Sequence, residues 1–115
     1  MTKSAAGYRV RVELFQAEWC PHSHKVRQRL TELGLDFVAR QVAVDQDDRD
    51  DLQAATGCRE IPTLVTERRE VLSGEDQILP WLDRYFDERP DANRHRAKAR
   101  AEVRDFAEVA ELLHR

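Results

Sequence analysis

The chain has 115 residues, which suits one domain with a modest core. Apolar residues make up 41% and charged residues 36%, and the net charge of −3 offers no basic field for nucleic acid or an anionic membrane. No apolar run approaches a membrane span, no secretory leader is recognisable at the start, and two cysteines are too few for a secreted disulfide framework, so a cytoplasmic protein is expected.

Residues 1–7 read as a flexible tail, 8–87 as the domain, and 88–115 as a linker and a C-terminal helix. From Tyr8 to Gln16 the pattern alternates, with Val10, Val12 and Leu14 on one side and Arg9, Arg11 and Glu13 on the other. That is a strand with one buried face. Pro21 suits the first position of a helix, Val26, Leu30 and Leu33 follow at helical spacing, and Gly34 ends it as a left-handed cap. Phe37 to Val44 is a second strand. The acidic run Asp45–Asp51 fits the first turns of a helix through Leu52, Ala54 and Ala55, where the macrodipole favours negative charge. Gly57 closes that helix.

Pro62–Thr66 is a short strand, Glu67–Glu70 a polar turn, and Val71–Leu72 a fourth strand broken at Ser73–Gly74. A helix carrying Ile78, Leu79, Leu82 and Phe86 follows, and Pro80 argues for a start near Asp76, because a deeper proline removes a helical hydrogen bond. Beyond the linker Glu88–Asp91, a long charged helix runs from Ala92 to Arg115. Its stripe of Ala92, Ala99, Val103, Phe106, Ala110 and Leu113 must pack on its own domain, the preferred reading, or on a second copy. A monomer or a weak homodimer through 92–115 follows. The element order predicts an α/β fold, with a four-stranded mixed sheet, flanking helices and an extra long C-terminal helix.

The chemistry centres on Cys20, at a strand-to-helix junction just before Pro21. The free amides of the first helical turn and the helix dipole favour a thiolate there, and the thiolate is the nucleophile. Ser23 is three residues on, where its hydroxyl can donate to that sulfur; a second cysteine at this position would be a resolving thiol, and serine is not. His22, Lys25 and Arg27 add positive charge nearby. The Ile61–Pro62 bond, just before a strand, is a candidate cis peptide that would turn backbone groups toward the Cys20 loop. Cys20, His22 and His24 do not make a metal site, since zinc needs three or four converging ligands. Cys58 is either a resolving thiol or a bystander in a loop. Trp19 is either a stacking surface for a substrate or a wall beside the cysteine. Trp81 is read as core or partly buried surface.

The segments WCPHS, GCREIPTLV and SGEDQILPWL, in this order, resemble the glutaredoxins and the N-terminal domain of glutathione transferases over roughly residues 8–87. The resemblance implies a thioredoxin-like fold, a cis Pro62, and a thiol–disulfide oxidoreductase acting through a mixed disulfide with glutathione or a related small thiol, with no bound cofactor. Cys20 matches the nucleophile, and Ser23 the second position of the family's CxxC, as in single-cysteine members. Trp19, Pro21 and His22 flank the nucleophile in the implied glutathione site. Ile61 matches the residue whose backbone pairs with the cysteinyl part of glutathione, and Arg59 a basic residue near its glycine carboxylate. Asp76 and Gln77 match the positions that hold the γ-glutamyl carboxylate; in the transferase register Glu75 stands in the serine's place. Ala17 replaces a lysine common three residues before the nucleophile, and Glu60 a common threonine. The C-terminal helix is too short for the all-helical second domain of a transferase. Implied partners are the small thiol and glutathionylated or disulfide-bonded proteins. Two alternatives stay open: an iron–sulfur or thiol-binding module, and a redox-silent adaptor that keeps the fold.

Overall fold

The computed structural model describes residues 11–101. The elements are β1 (Val12–Gln16), α1 (Pro21–Leu33), β2 (Phe37–Gln41), a 3-10 turn (Gln46–Asp48), α2 (Asp50–Thr56), β3 (Thr63–Val65), β4 (Val71–Ser73) and α3 (Glu75–Tyr85). Residues 92–101 are helical. The sheet order is β2-β1-β3-β4, with β2 parallel to β1 and the other neighbours antiparallel.

β1 lies inside the sheet and is buried on both faces. Val12 and Leu14 join Val26, Leu30 and Leu33 of α1, Leu64 of β3, and Ile78, Leu82 and Phe86 from α3 and its end. Phe15 points the other way, into a smaller cluster with Leu52 of α2, Val65, Val42 and Ile61. Helices therefore cover both faces, as the period-two and helical patterns require. α1 ends where expected: Gly34 takes φ +67°, which an L side chain resists, and its amide reaches the Leu30 and Thr31 carbonyls. The four-stranded mixed sheet with this topology and these flanking helices is a thioredoxin-like fold.

Two boundaries differ from the sequence pattern, each for a physical reason. β2 stops at Gln41 instead of Val44, because its ladder partner β1 ends at Gln16, opposite Gln41. The Ala43 and Val44 carbonyls are instead taken by Arg49, which is buried and also holds the Arg59 carbonyl. The acidic run splits: residues 46–48 form the 3-10 turn, and only Asp50 and Asp51 sit in the first turn of α2. α3 begins at Glu75, one residue from Asp76 and so near the expected start, and Pro80 lies inside the helix. Both Pro80 and Asp76 are exposed, so water can serve the carbonyl that loses its helical donor.

The far end of α1 anchors the C-terminal segment. Glu32 is buried and accepts from Arg29 at 2.8 Å and Arg96 at 2.7 Å, while both arginines also reach Glu88. Burial raises the Glu32 carboxyl, but Arg29, Gln28 and Arg96 hold it below the usual range. Arg96 and Arg29 draw Glu88 down to about 2. Within 92–101 only Ala92 is deeply buried, so these ion pairs dominate its docking. The expected tail (1–7) and the helix beyond residue 101 lie outside the described residues.

Candidate functional site

β1 delivers Cys20. Its C-terminal end pairs with the beginning of β3, Phe15 opposite Thr63, and Thr63 in turn pairs with Ser73 at the end of β4. The Cys20 loop, the Ile61–Pro62 turn and the start of α3 therefore leave the same end of the sheet. The Ile61–Pro62 bond is cis, and the Pro62 carbonyl accepts from the Gly74 amide at 2.7 Å, tying the turn to α3.

Cys20 is the N-cap of α1, in extended conformation, with Pro21 at the first helical position. Its sulfur accepts from the Ser23 amide at 3.4 Å. Burial pushes the thiol up, but the Ser23 hydroxyl, the Ser23 and His22 amides and the Arg27 charge outweigh it, and the thiol lies below its ordinary range. Ser23 is fully buried, and its hydroxyl has no hydrogen-bond partner among the described residues. Turned toward the sulfur, that hydroxyl gains a charge-assisted bond only when Cys20 is ionised. Arg27 reaches Gln16, the Ala17 carbonyl and Glu18, which sets a cation against the segment ahead of Cys20.

The remaining candidates divide. Trp19 is 61% exposed beside the largely covered sulfur, so it is an open apolar surface and no part of the core. Pro21 and His22 are exposed. His22 Nδ1 contacts Glu75 Oε1, and Lys25 Nζ lies 3.4 Å from the other Glu75 oxygen. The His22 bond, then Lys25, hold the Glu75 carboxyl below its usual range. Asp76 is exposed, and the Gln77 side chain accepts from the Ser73 amide at 2.9 Å. Ile61 is half-buried. Arg59 turns away from this cluster: it donates to the Gln46 and Asp47 carbonyls and to Asp50 at 2.9 Å. A groove of about 530 Å³ lined by Arg11, Phe37, Val38, Arg40 and Arg69, among others, lies at the opposite end of β1 and includes none of the candidates.

Cys58 has a setting the sequence pattern does not reveal. Its sulfur lies 3.3 Å from the Thr56 hydroxyl, 3.5 Å from that of Thr63 and 3.8 Å from that of Ser73. Burial raises this thiol too, while Thr56, Thr63, the Glu60 amide and Ser73 bring it below its ordinary range. Only the strand pairing brings Ser73 to residue 58; a local motif search has no signal for it. Trp81 is partly buried and packs on Tyr85 and Phe86.

A family model for glutaredoxins matches residues 12–71, more than half of the chain, and the protein belongs to the glutaredoxin family. Solved structures add the fold. A glutathione transferase homologue from Burkholderia gl BGR1, with bound glutathione, is 25% identical over 79% of this chain and 52% of its own, with a TM-score of 0.56. A possible glutathione S-transferase from Rhodopseudomonas palustris is 25% identical over 62% of this chain and 38% of its own, TM-score 0.54. Rice GST1 in complex with glutathione, 24% identical over 89% of this chain and 47% of its own, shares the fold at a TM-score of 0.60. The chain thus spans about a third to a half of the length of such structures. No curated protein matches it. Among the described residues no helix is long and apolar enough to cross a membrane.

Proposed function

We propose that this protein is a glutathione-dependent thiol–disulfide oxidoreductase working through Cys20 in a reducing compartment such as the cytoplasm. The observation that carries the reading is the Cys20 sulfur at the N-cap of α1, acid-shifted and backed by the uncommitted Ser23 hydroxyl. The Cys20 thiolate attacks the glutathione sulfur of a glutathionylated protein. The S–S bond breaks, the protein leaves as a thiolate that takes up a proton, and a Cys20–glutathione disulfide forms. A second glutathione thiolate attacks that disulfide, which releases Cys20 as a thiolate and oxidised glutathione.

The glutathione bound to the Burkholderia relative supports glutathione as the thiol. In this reading the Ile61 backbone pairs with the cysteinyl unit beside Pro62, and the start of α3 at Asp76 and Gln77 receives the γ-glutamyl end, with the helix amides favouring its carboxylate. Trp19, Pro21 and His22 flank the thiol. Arg59 reaches the glycine carboxylate only by exchanging its contacts with Asp50 and the 46–47 carbonyls.

Incubation with oxidised glutathione followed by mass spectrometry tests the proposal. The expected product is one glutathione adduct, mapped to Cys20. An unmodified Cys20, or an adduct confined to Cys58, would refute it.

A further inference from the structure

At the start of α3 a carboxylate is already in place. Glu75 is the first residue of the helix, after Gly74, which has no side chain to cap the first-turn amides. Its side chain is only 19% exposed, whereas the two α1 side chains that grip it, His22 and Lys25, are 57% and 60% exposed. They stand two and five residues after Cys20, and α3 is tied to the cis-proline turn through the Pro62 carbonyl. In the reading above, a thiol entering at Cys20 and pairing along Ile61 brings a terminal carboxylate toward the Lys25 ammonium and the His22 ring that Glu75 engages. The ligand anion and Glu75 repel each other and compete for the same two groups.

Resting on the reading of Cys20 given above, we infer that Glu75 is a specificity-determining residue that acts as an internal competitor: it occupies the Lys25 ammonium and the His22 ring and weakens selection for small thiols and disulfides bearing a carboxylate. The pair then has two states. In the free protein Glu75 holds it. In the complex the ligand carboxylate takes one or both groups and Glu75 is displaced into water. Release of Glu75 costs the ion pairs it makes, and that cost is subtracted from binding of anionic ligands only. Neutral ligands reach Cys20 without disturbing the pair.

The test compares Glu75→Gln with the parent protein in its reaction with two disulfides: oxidised glutathione, which is anionic, and bis(2-hydroxyethyl) disulfide, which carries no charge. In both reactions Cys20 displaces a thiolate and keeps the other half as a mixed disulfide, so the chemistry is common and only the charge differs. Glu75→Gln should speed the reaction with oxidised glutathione by about 3-fold, the scale of a partly exposed ion pair, and leave the neutral disulfide within about 1.5-fold. Adding Lys25→Gln to Glu75→Gln should erase most of the gain, because the freed cation is what the ligand uses. Glu75→Asp, which shortens the reach to His22 by one carbon, should give a smaller gain in the same direction and serves if Glu75→Gln folds poorly. An unchanged or slower reaction with oxidised glutathione would overturn the inference, as would an equal change with both disulfides, since that would place the effect on the sulfur itself. A parent protein whose Cys20 reacts with neither disulfide would instead refute the redox reading beneath it.

Discussion

Cys20 and Cys58 are both held below the ordinary thiol range, yet the groups responsible differ in kind. Around Cys58 the hydroxyls are committed. Thr56 donates to the Leu52 carbonyl and Thr63 to the Glu60 carbonyl, each at 2.7 Å. A hydroxyl has one proton, so Thr56 or Thr63 can donate to an ionised Cys58 only by giving up a good carbonyl acceptor, which leaves the Glu60 amide and the Ser73 hydroxyl as donors to that sulfur. Around Cys20 the Ser23 amide points at the sulfur, and the Ser23 hydroxyl is buried with no partner among the described residues. Ionisation of Cys20 therefore breaks no existing bond of that hydroxyl. Cys20 also sits on a helix N-terminus, where the backbone dipoles favour an anion, and Cys58 lies in a loop. A lowered thiol pKa is thus common to both sulfurs, and the difference lies in the uncommitted Ser23 hydroxyl and the helix N-terminus at Cys20.

The largest effect that can break this comparison comes from removing each sulfur. Cys20→Ser should abolish glutathione adduct formation and turnover of a glutathionylated peptide, and Cys58→Ser should keep most of both, read by intact mass and a coupled assay. The reverse pattern would hand the chemistry to Cys58. Next in size is the loss of the donors. Ser23→Ala should slow alkylation of Cys20 at pH 7 by about tenfold, the scale of one hydrogen bond to a charged group, whereas Thr56→Ala should change the Cys58 rate by less than about 2-fold. Peptide-resolved labelling with iodoacetamide distinguishes the two.

A smaller effect sharpens the role of charge. Arg27→Gln should reduce Cys20 reactivity by about 2-fold at low salt, and the difference should fade near 1 M salt, because Arg27 is partly solvated and shared with Glu18. The smallest effect is expected at the other end of α1. Arg96→Gln should loosen residues 92–101, seen as faster hydrogen exchange, and leave Cys20 alkylation unchanged. Glu88 is depressed to about 2, so its part in that docking is complete above the ordinary carboxylate range and is lost as pH falls toward 2. Circular dichroism across that acid range, compared between Glu88→Gln and the parent protein, checks the sign.

Much of the domain was legible because its signals are local. Strict alternation marks β1, Pro21 and Gly34 bracket α1, and apolar spacing marks α3. The closeness of Ser23 to Cys20 was legible for the same reason: the helix start and a three-residue step are enough to bring the Ser23 amide to the sulfur. The misjudged boundaries depend on partners distant in sequence. β2 is cut short by the end of β1, and its last carbonyls turn to Arg49. Pro80 leaves the start of α3 within one residue of Asp76, because the exposed Asp76 carbonyl can be served by water. The His22–Glu75–Lys25 group and the hydroxyls around Cys58 join residues up to 53 positions apart, and no local pattern encodes them. The acidic Glu75 was visible, but its partners were not.

The account rests on an ionised sulfur at Cys20 stabilised by the Ser23 hydroxyl, and pH-resolved thiolate absorbance in a Cys58→Ser background measures it directly. The account predicts a midpoint below that of an unstructured thiol, about 8.5, and a clear upward move in Ser23→Ala. A midpoint at or above that value, or one that Ser23→Ala leaves in place, would contradict it.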